Sequence, residues 1–293
     1  MILKSLITPL KPFRLVSLIM TYALGAGLVQ YVEDIRSWVT LFQGAAFLLL
    51  LVLSLDYLRA LLTLSDERLW PADLTRKEAI RLSWIFGLIA ATFLTVATTI
   101  FMGWMVGGIL WQGLIFLLLA VVIVGAVTIL SQTLELLQPY QILFESLLIV
   151  VIPPAVAYFI QSEDLHQLLT MVVIGLVPAY LAFQLLDQLK RFGRDQQYEL
   201  RTIVTTIGWE NAMVLHNALI LLAYLLMALV AILGFPWFLL WPVFLTLPIG
   251  LLEIWLMERV RRGRKPLWRV MQLATASVFL IPIYLLGFAF WIR

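Results

Sequence analysis

Acidic and basic side chains stand together at two places where long apolar segments end. The first segment reads Leu55-Asp56-Tyr57-Leu58-Arg59, and the second reads Leu186-Asp187-Gln188-Leu189-Lys190-Arg191. Both contain Leu-Asp-x-Leu followed by a basic residue, which indicates an internal duplication. Ionisable groups at the end of an apolar helix are costly to bury, so a functional site is the first hypothesis for them. Carboxylates bind metal ions and guanidinium groups bind anions, and both chemistries are therefore open here.

A purely structural interpretation stands beside the functional one. Asp56 and Arg59 are three residues apart, and Asp187 is three or four residues from Lys190 and Arg191, so each aspartate is placed for an ion pair on its own helix. If the two segments face one another in a pseudo-twofold bundle, Asp56 could instead pair with Lys190, and Asp187 with Arg59. The sequence leaves these alternatives open.

The composition defines the elements that must position these groups. The chain has 293 residues, of which 63% are hydrophobic and 13% charged, with a mean hydropathy of +1.01. Soluble domains are nearer to half apolar and a quarter charged. The chain is therefore expected to be an all-α polytopic membrane protein, which leaves no room for a soluble catalytic domain or a nucleic-acid-binding module. The absence of cysteine excludes disulfides and thiolate metal sites.

Nine transmembrane helices are predicted, because charged and Gly- or Pro-containing breaks recur at the spacing of about 20 apolar residues that crosses a membrane. They form one domain with repeat-like halves, 1–134 and 135–293, and inner polar loops at 56–82 and 187–211. The Gly-rich Met102–Gly108 is predicted to be a tight outer turn. The helices are expected at Phe13–Gln30, Thr40–Leu62, Ser83–Met102, Gly108–Gln132, Ile142–Ile160, Gln167–Leu189, Ala212–Gly234, Trp237–Met257 and Trp268–Phe290.

The distribution of basic residues predicts the orientation. All of the lysines and arginines except Arg36 and Arg293 fall on one side of this topology. Since cytoplasmic loops carry the excess of positive charge, the N-terminus is expected inside and the C-terminus outside a cytoplasmic membrane.

Several motifs resemble the UbiA family of intramembrane prenyltransferases, and the likeness runs along most of the chain. Lys11-Pro12-Phe13-Arg14-Leu15 with Gly25 is similar to the opening Arg-Pro-x-x-Leu and glycine of the family. Pro71 with the segment Leu74-Thr75-Arg76-Lys77-Glu78-Ala79 resembles the stretch after the first polar motif. Asp195, Arg201-Thr202 and Gly208 are similar to the Asp, Arg-Thr and Gly that follow the second motif. The resemblance implies a UbiA-like bundle that holds a long isoprenoid and transfers a prenyl group from its diphosphate to an aromatic or cyclic acceptor.

The resemblance also implies two Asp-rich motifs, which bind the Mg²⁺ ions that neutralise the diphosphate. The chain departs from the family at the positions of these two motifs. The positions that match the first motif are Leu55, Asp56, Arg59 and Thr63. Those that match the second are Gln188, Arg191 and Asp195, or, with a one-residue gap, Asp187, Lys190 and Arg194. A basic group among Mg²⁺ ligands repels the ion by roughly 4 kcal/mol at 4 Å. The metal site is therefore expected to be degraded, and Mg²⁺ is a cofactor only if the site is active.

Two functions remain open on this reasoning. The first is a UbiA-like protein that binds an isoprenoid or related membrane lipid, with Asp56 and Asp195 as candidate catalytic residues. Its candidate anion-binding residues are Arg59, Asp187, Lys190, Arg191 and Arg194. The second is a non-catalytic subunit of a larger membrane complex that binds a lipid, quinone or pigment. His216, inside the seventh predicted span, is interpreted as a hydrogen-bonded packing residue and not as a pigment ligand.

Overall fold

A computed structural model describes residues 11–64, 75–106, 136–162 and 166–292, together with positions 122, 125–127, 129, 130 and 134. Within this part of the chain every regular element is helical. Eight helices are long and apolar enough to cross a membrane, which indicates an integral membrane protein. They are α1 (Pro12–Val32), α2 (Trp38–Thr63), α3 (Arg76–Val106), α4 (Gln138–Phe159), α5 (Gln167–Gln197), α6 (Trp209–Ile232), α7 (Trp237–Arg261) and α8 (Trp268–Trp291).

The all-helical membrane class is confirmed, and eight of the predicted spans correspond to these helices. The remaining one, Gly108–Gln132, lies largely outside the described residues. The predicted turn at Met102–Gly108 is wrong at its start, because α3 continues as helix to Val106. The sixth predicted span also ends too early: α5 runs on to Gln197, through the charged residues that sequence reasoning assigned to a loop.

Helix α1 occupies a central position in the bundle. It packs closely against α4 and α8, and it also contacts α2. Helix α2 packs mainly on α3, and α5 packs on α6 and α8. The first turn of α1 therefore meets the last turns of α2 and the first turns of α4, which places polar residues from three separate segments side by side.

Two adjacent prolines shape α4. The segment Leu147–Val151 is a π-helical turn immediately before Pro153 and Pro154. Because neither proline has an N–H, the carbonyl of Ile149 lacks its usual helical donor. The Thr21 hydroxyl on α1 donates to this oxygen at 2.8 Å. The bundle thus satisfies the freed carbonyl from a neighbouring helix, as an irregular membrane helix requires.

Gly25 is expected to be essential for the contact between α1 and α4. A Cβ atom at this position would collide with the backbone of Pro154. We therefore expect Gly25→Ala to destabilise the protein by about 1–3 kcal/mol, the usual cost of overpacking. The measurement is the thermal unfolding midpoint in detergent.

Gly287→Ala is the matched control. Gly287 is also buried in a transmembrane helix, α8, but a Cβ there would meet no atom within 4 Å. This variant should keep the midpoint of the unmodified protein. Equal losses in the two variants would show that the close approach to Pro154 has no special weight.

Candidate functional site

Four buried ionisable side chains converge where α1, α2 and α4 meet. Arg14 is in the first turn of α1, Asp56 and Arg59 are in the last turns of α2, and Glu145 is in the first half of α4. All four residues have 6% or less of their surface exposed. At 1.5 Å per residue, each lies within about 10 Å of its helix end. We call these four residues the ionic cluster.

Within the ionic cluster each arginine contacts both carboxylates. Arg14 Nη1 donates a hydrogen bond to Asp56 Oδ1, and Arg14 Nε lies 3.4 Å from Glu145 Oε1. Arg59 Nη1 lies 3.4 Å from Glu145 Oε2 and 3.9 Å from Asp56 Oδ1. The two positive and two negative charges balance. Ionised groups can be buried when their charges balance in this way, because an uncompensated charge in the protein interior costs several kcal/mol.

The cluster does not satisfy all of its own hydrogen-bonding groups. Nη2 and Nε of both arginines, and Oδ2 of Asp56, are buried without a hydrogen-bond partner among the described residues. Gln184 on α5 lies beside the Glu145 carboxylate. Buried polar atoms are normally hydrogen-bonded, so this set of donors and one acceptor fits an additional polar group at the cluster.

The charged residues at the end of α5 form a second, more exposed group. Asp187 Oδ2 accepts from Arg191 Nη2 at 2.6 Å, one helical turn along the same face. Lys190 Nζ donates to Gln272 Oε1 on α8 at 3.0 Å. Asp195 is buried, with its Oδ1 3.7 Å from Nη2 of Arg194. Local pairing therefore accounts for most of this group.

The cross-bundle alternative is not what the structure shows. Asp56 pairs with Arg14 and Arg59, and Asp187 pairs with Arg191, so neither aspartate takes the partner that a pseudo-twofold pairing would give it. The two groups are nevertheless neighbours. Lys11, just before α1, interacts electrostatically with Glu145, Arg14 and Arg59 of the ionic cluster and also with Arg191.

The residues at the resembling motifs do not fit a Mg²⁺ site. Mg²⁺ requires several oxygen ligands in near-octahedral geometry. Asp56 is instead engaged by two guanidinium groups, and Asp195 lies beside Arg194. Among the described residues no group of three or more His, Cys, Asp or Glu side chains could hold a metal ion.

Two members of the ionic cluster were missing from the sequence-based candidates. Arg14 was noticed only as part of the opening motif, and Glu145 was not singled out at all. Each carried a signal, because a charged residue within an apolar span is rare enough to suggest a function. The sequence could not show that Arg14 lies against Asp56 and Glu145 against Arg59, since these contacts join residues 42 and 86 positions apart.

The motif residues after α5 have local structural roles. The Thr202 side chain and Thr205 form a reciprocal capping box that starts the short helix Ile203–Ile207. Gly208, which separates this helix from α6, has a φ of 87°, a conformation that favours glycine.

His166 caps α5, its Nδ1 accepting from Leu168 N at 3.2 Å. Residues 71–74 of the earlier motif lie outside the described part.

A cavity of about 670 Å³ lies between residues 136–140 and 196–207, with Tyr140, Gln196, Glu199 and Arg201 in its wall. It shares no lining residue with the ionic cluster. Its charged wall residues are exposed, whereas the cluster holds four buried charges. The cluster is therefore the better candidate site.

Comparison with protein-family models and with curated proteins finds no match to this chain.

Proposed function

We propose that this chain is a UbiA-like integral membrane protein that binds an isoprenoid or related membrane lipid, with the ionic cluster holding the polar head of that lipid. The resemblance to the family supports the proposed fold and the choice of an isoprenoid as the ligand. The ninth transmembrane helix and the UbiA-like arrangement of the bundle are part of this proposal. The orientation in a cytoplasmic membrane, with the N-terminus inside, follows from the basic residues.

One observation carries the proposal: buried guanidinium nitrogens of Arg14 and Arg59 have no hydrogen-bond partner among the described residues. Guanidinium groups bind phosphate oxygens through short, charge-assisted hydrogen bonds. A diphosphate bound at the cluster would accept hydrogen bonds from these nitrogens directly, whereas the family that the chain resembles uses Mg²⁺ for this purpose. Lys11 supplies the additional positive charge that a balanced cluster lacks.

The enzymatic form of this function is prenyl transfer from the diphosphate to an aromatic or cyclic acceptor, and it rests on the resemblance alone. The alternative is a non-catalytic subunit of a larger membrane complex that binds a lipid, quinone or pigment. The engagement of Asp56 by two arginines favours the alternative, because the carboxylate most similar to a family metal ligand is already paired. The two forms share a binding site and differ in turnover.

Binding of farnesyl diphosphate in the presence of EDTA tests the proposal. Arg59→Lys keeps the charge balance of the cluster but removes the planar fork that supplies the unpartnered donors. We expect this variant to bind farnesyl diphosphate about tenfold more weakly, the loss of about 1.4 kcal/mol. Affinity for farnesol, which has no phosphate, should be unchanged. Isothermal titration in nanodiscs measures both.

Arg262→Lys is the matched control, since Arg262 is exposed and pairs with Glu258 at the surface. It should leave both affinities unchanged. Binding that requires Mg²⁺ and is insensitive to Arg59→Lys would contradict direct recognition of the phosphate. Release of diphosphate in the same samples, with an acceptor present, separates the enzymatic form from the non-catalytic one.

A further inference from the structure

A second buried polar pair lies away from the ionic cluster, between α6 and α7. His216 on α6 and Glu253 on α7 are both fully buried, with 0% of their surface exposed. His216 Nε2 and Glu253 Oε1 are 3.7 Å apart. His216 is the eighth residue of α6, and Glu253 lies eight residues before the end of α7, so both are about 10 Å or more inside the bundle.

The neighbour of the imidazole on α6 indicates its hydrogen-bonding role. His216 Nδ1 lies 3.4 Å from Oδ1 of Asn217, and with the amide in this orientation the oxygen can only accept, so we infer that Nδ1 carries a proton. In a neutral imidazole the other nitrogen, Nε2, is then an acceptor. It faces Glu253 Oε1, and an ionised carboxylate is also an acceptor. Two acceptors at this distance repel unless a proton lies between them.

Among the described residues no group donates a hydrogen bond to His216 Nε2. His216 Nε2 and both carboxylate oxygens of Glu253 have no hydrogen-bond partner in the part of the chain that the structure describes. Thr275 on α8 lies beside Glu253, but its hydroxyl donates to the Met271 carbonyl at 2.9 Å.

We propose that His216 and Glu253 form a proton-binding site inside the bundle, which holds one proton shared between imidazole and carboxyl. The proton is either on Glu253, which donates to Nε2, or on Nε2, which then donates to the carboxylate. Both arrangements leave the pair without net charge. Loss of the proton would leave a carboxylate alone in the apolar interior, and a second proton would leave an imidazolium alone, and both states are strongly disfavoured there.

In the part of the chain that the structure describes, the surroundings add no charge that would change this balance. The groups that interact with the pair are Asn217 on α6 and Thr275 on α8, and both are neutral. The pair should therefore keep its single proton across the range of about pH 5 to 8 in which a free imidazole titrates.

Nitrogen-15 NMR of the full-length protein in nanodiscs tests this site. The chain has two histidines, so His166→Asn leaves His216 as the one labelled imidazole, and asparagine can replace the helix cap that His166 provides. We expect Nδ1 to be protonated throughout the pH range. We also expect either a protonated Nε2 or a protonated Glu253 carboxyl, the latter seen as an infrared band that disappears in Glu253→Gln.

Glu258→Gln is the control, because Glu258 lies on the same helix but pairs with Arg261 and Arg262 near the surface. It should leave the His216 signals and the carboxyl band unchanged. An imidazole that is protonated on Nε2 alone would overturn the proposal. So would a neutral imidazole beside an ionised Glu253, or a His216 that titrates like a free histidine whether residue 253 is Glu or Gln.

Discussion

Replacement of Arg14 by methionine should destabilise this protein by about 3–5 kcal/mol, the usual cost of removing one partner from a buried ion pair. Arg14 is 2% exposed and contacts both Asp56 and Glu145. Its loss leaves two buried carboxylates with Arg59 as their one cation in the ionic cluster. The free energy of unfolding in mixed micelles, or the thermal midpoint where unfolding is irreversible, measures the effect.

The double variant Arg14→Met with Asp56→Leu restores the charge balance. It should recover most of the lost stability, because apolar residues in place of a buried ion pair are often neutral or stabilising. Arg261→Met is the surface control, since Arg261 pairs with Glu258 in an exposed position and such pairs contribute about 1 kcal/mol or less. A small effect of Arg14→Met, similar to that of Arg261→Met, would show that the buried charges are not coupled.

The membrane class and most helix positions could be predicted from sequence because both depend on local properties. Apolar length and the breaks between spans are read directly along the chain. The error at the end of α5 has a local cause as well. Charged residues after an apolar span predict the end of the helix, but Asp187 and Arg191 pair one turn apart and so stabilise the helix that continues through them.

The partners within the site could not be predicted because they depend on packing between distant segments. Asp56 and Arg59 were identified from their spacing, and their own local contact is present. The stronger contacts of the cluster come from Arg14, which reaches Asp56, and from Glu145, which reaches Arg59, because α1 and α4 both pack against α2. The repeated Leu-Asp-x-Leu segments favour α5 as the partner of α2, but α5 pairs its own charges instead.

Glu145→Gln should tighten the binding of farnesyl diphosphate by at least about tenfold, if the ionic cluster binds phosphate directly as proposed. This change removes one negative charge from a balanced cluster while keeping a side chain of the same shape. The remaining cluster, with Arg14, Arg59 and Asp56, carries a net positive charge. A unit charge about 4 Å from an anion contributes up to about 4 kcal/mol near a protein surface, so a tenfold gain is a low expectation.

The direction of this effect separates the two ways in which a protein holds a diphosphate. Where a metal ion bridges carboxylates and phosphate, loss of a carboxylate weakens binding, and EDTA abolishes it. Where guanidinium groups bind the phosphate, loss of a carboxylate strengthens binding, and EDTA has no effect. Glu258→Gln provides the control for a carboxylate remote from the cluster, and it should change neither affinity nor EDTA sensitivity. Weaker, EDTA-sensitive binding in Glu145→Gln would assign Glu145 to a metal site and reject the direct guanidinium contact.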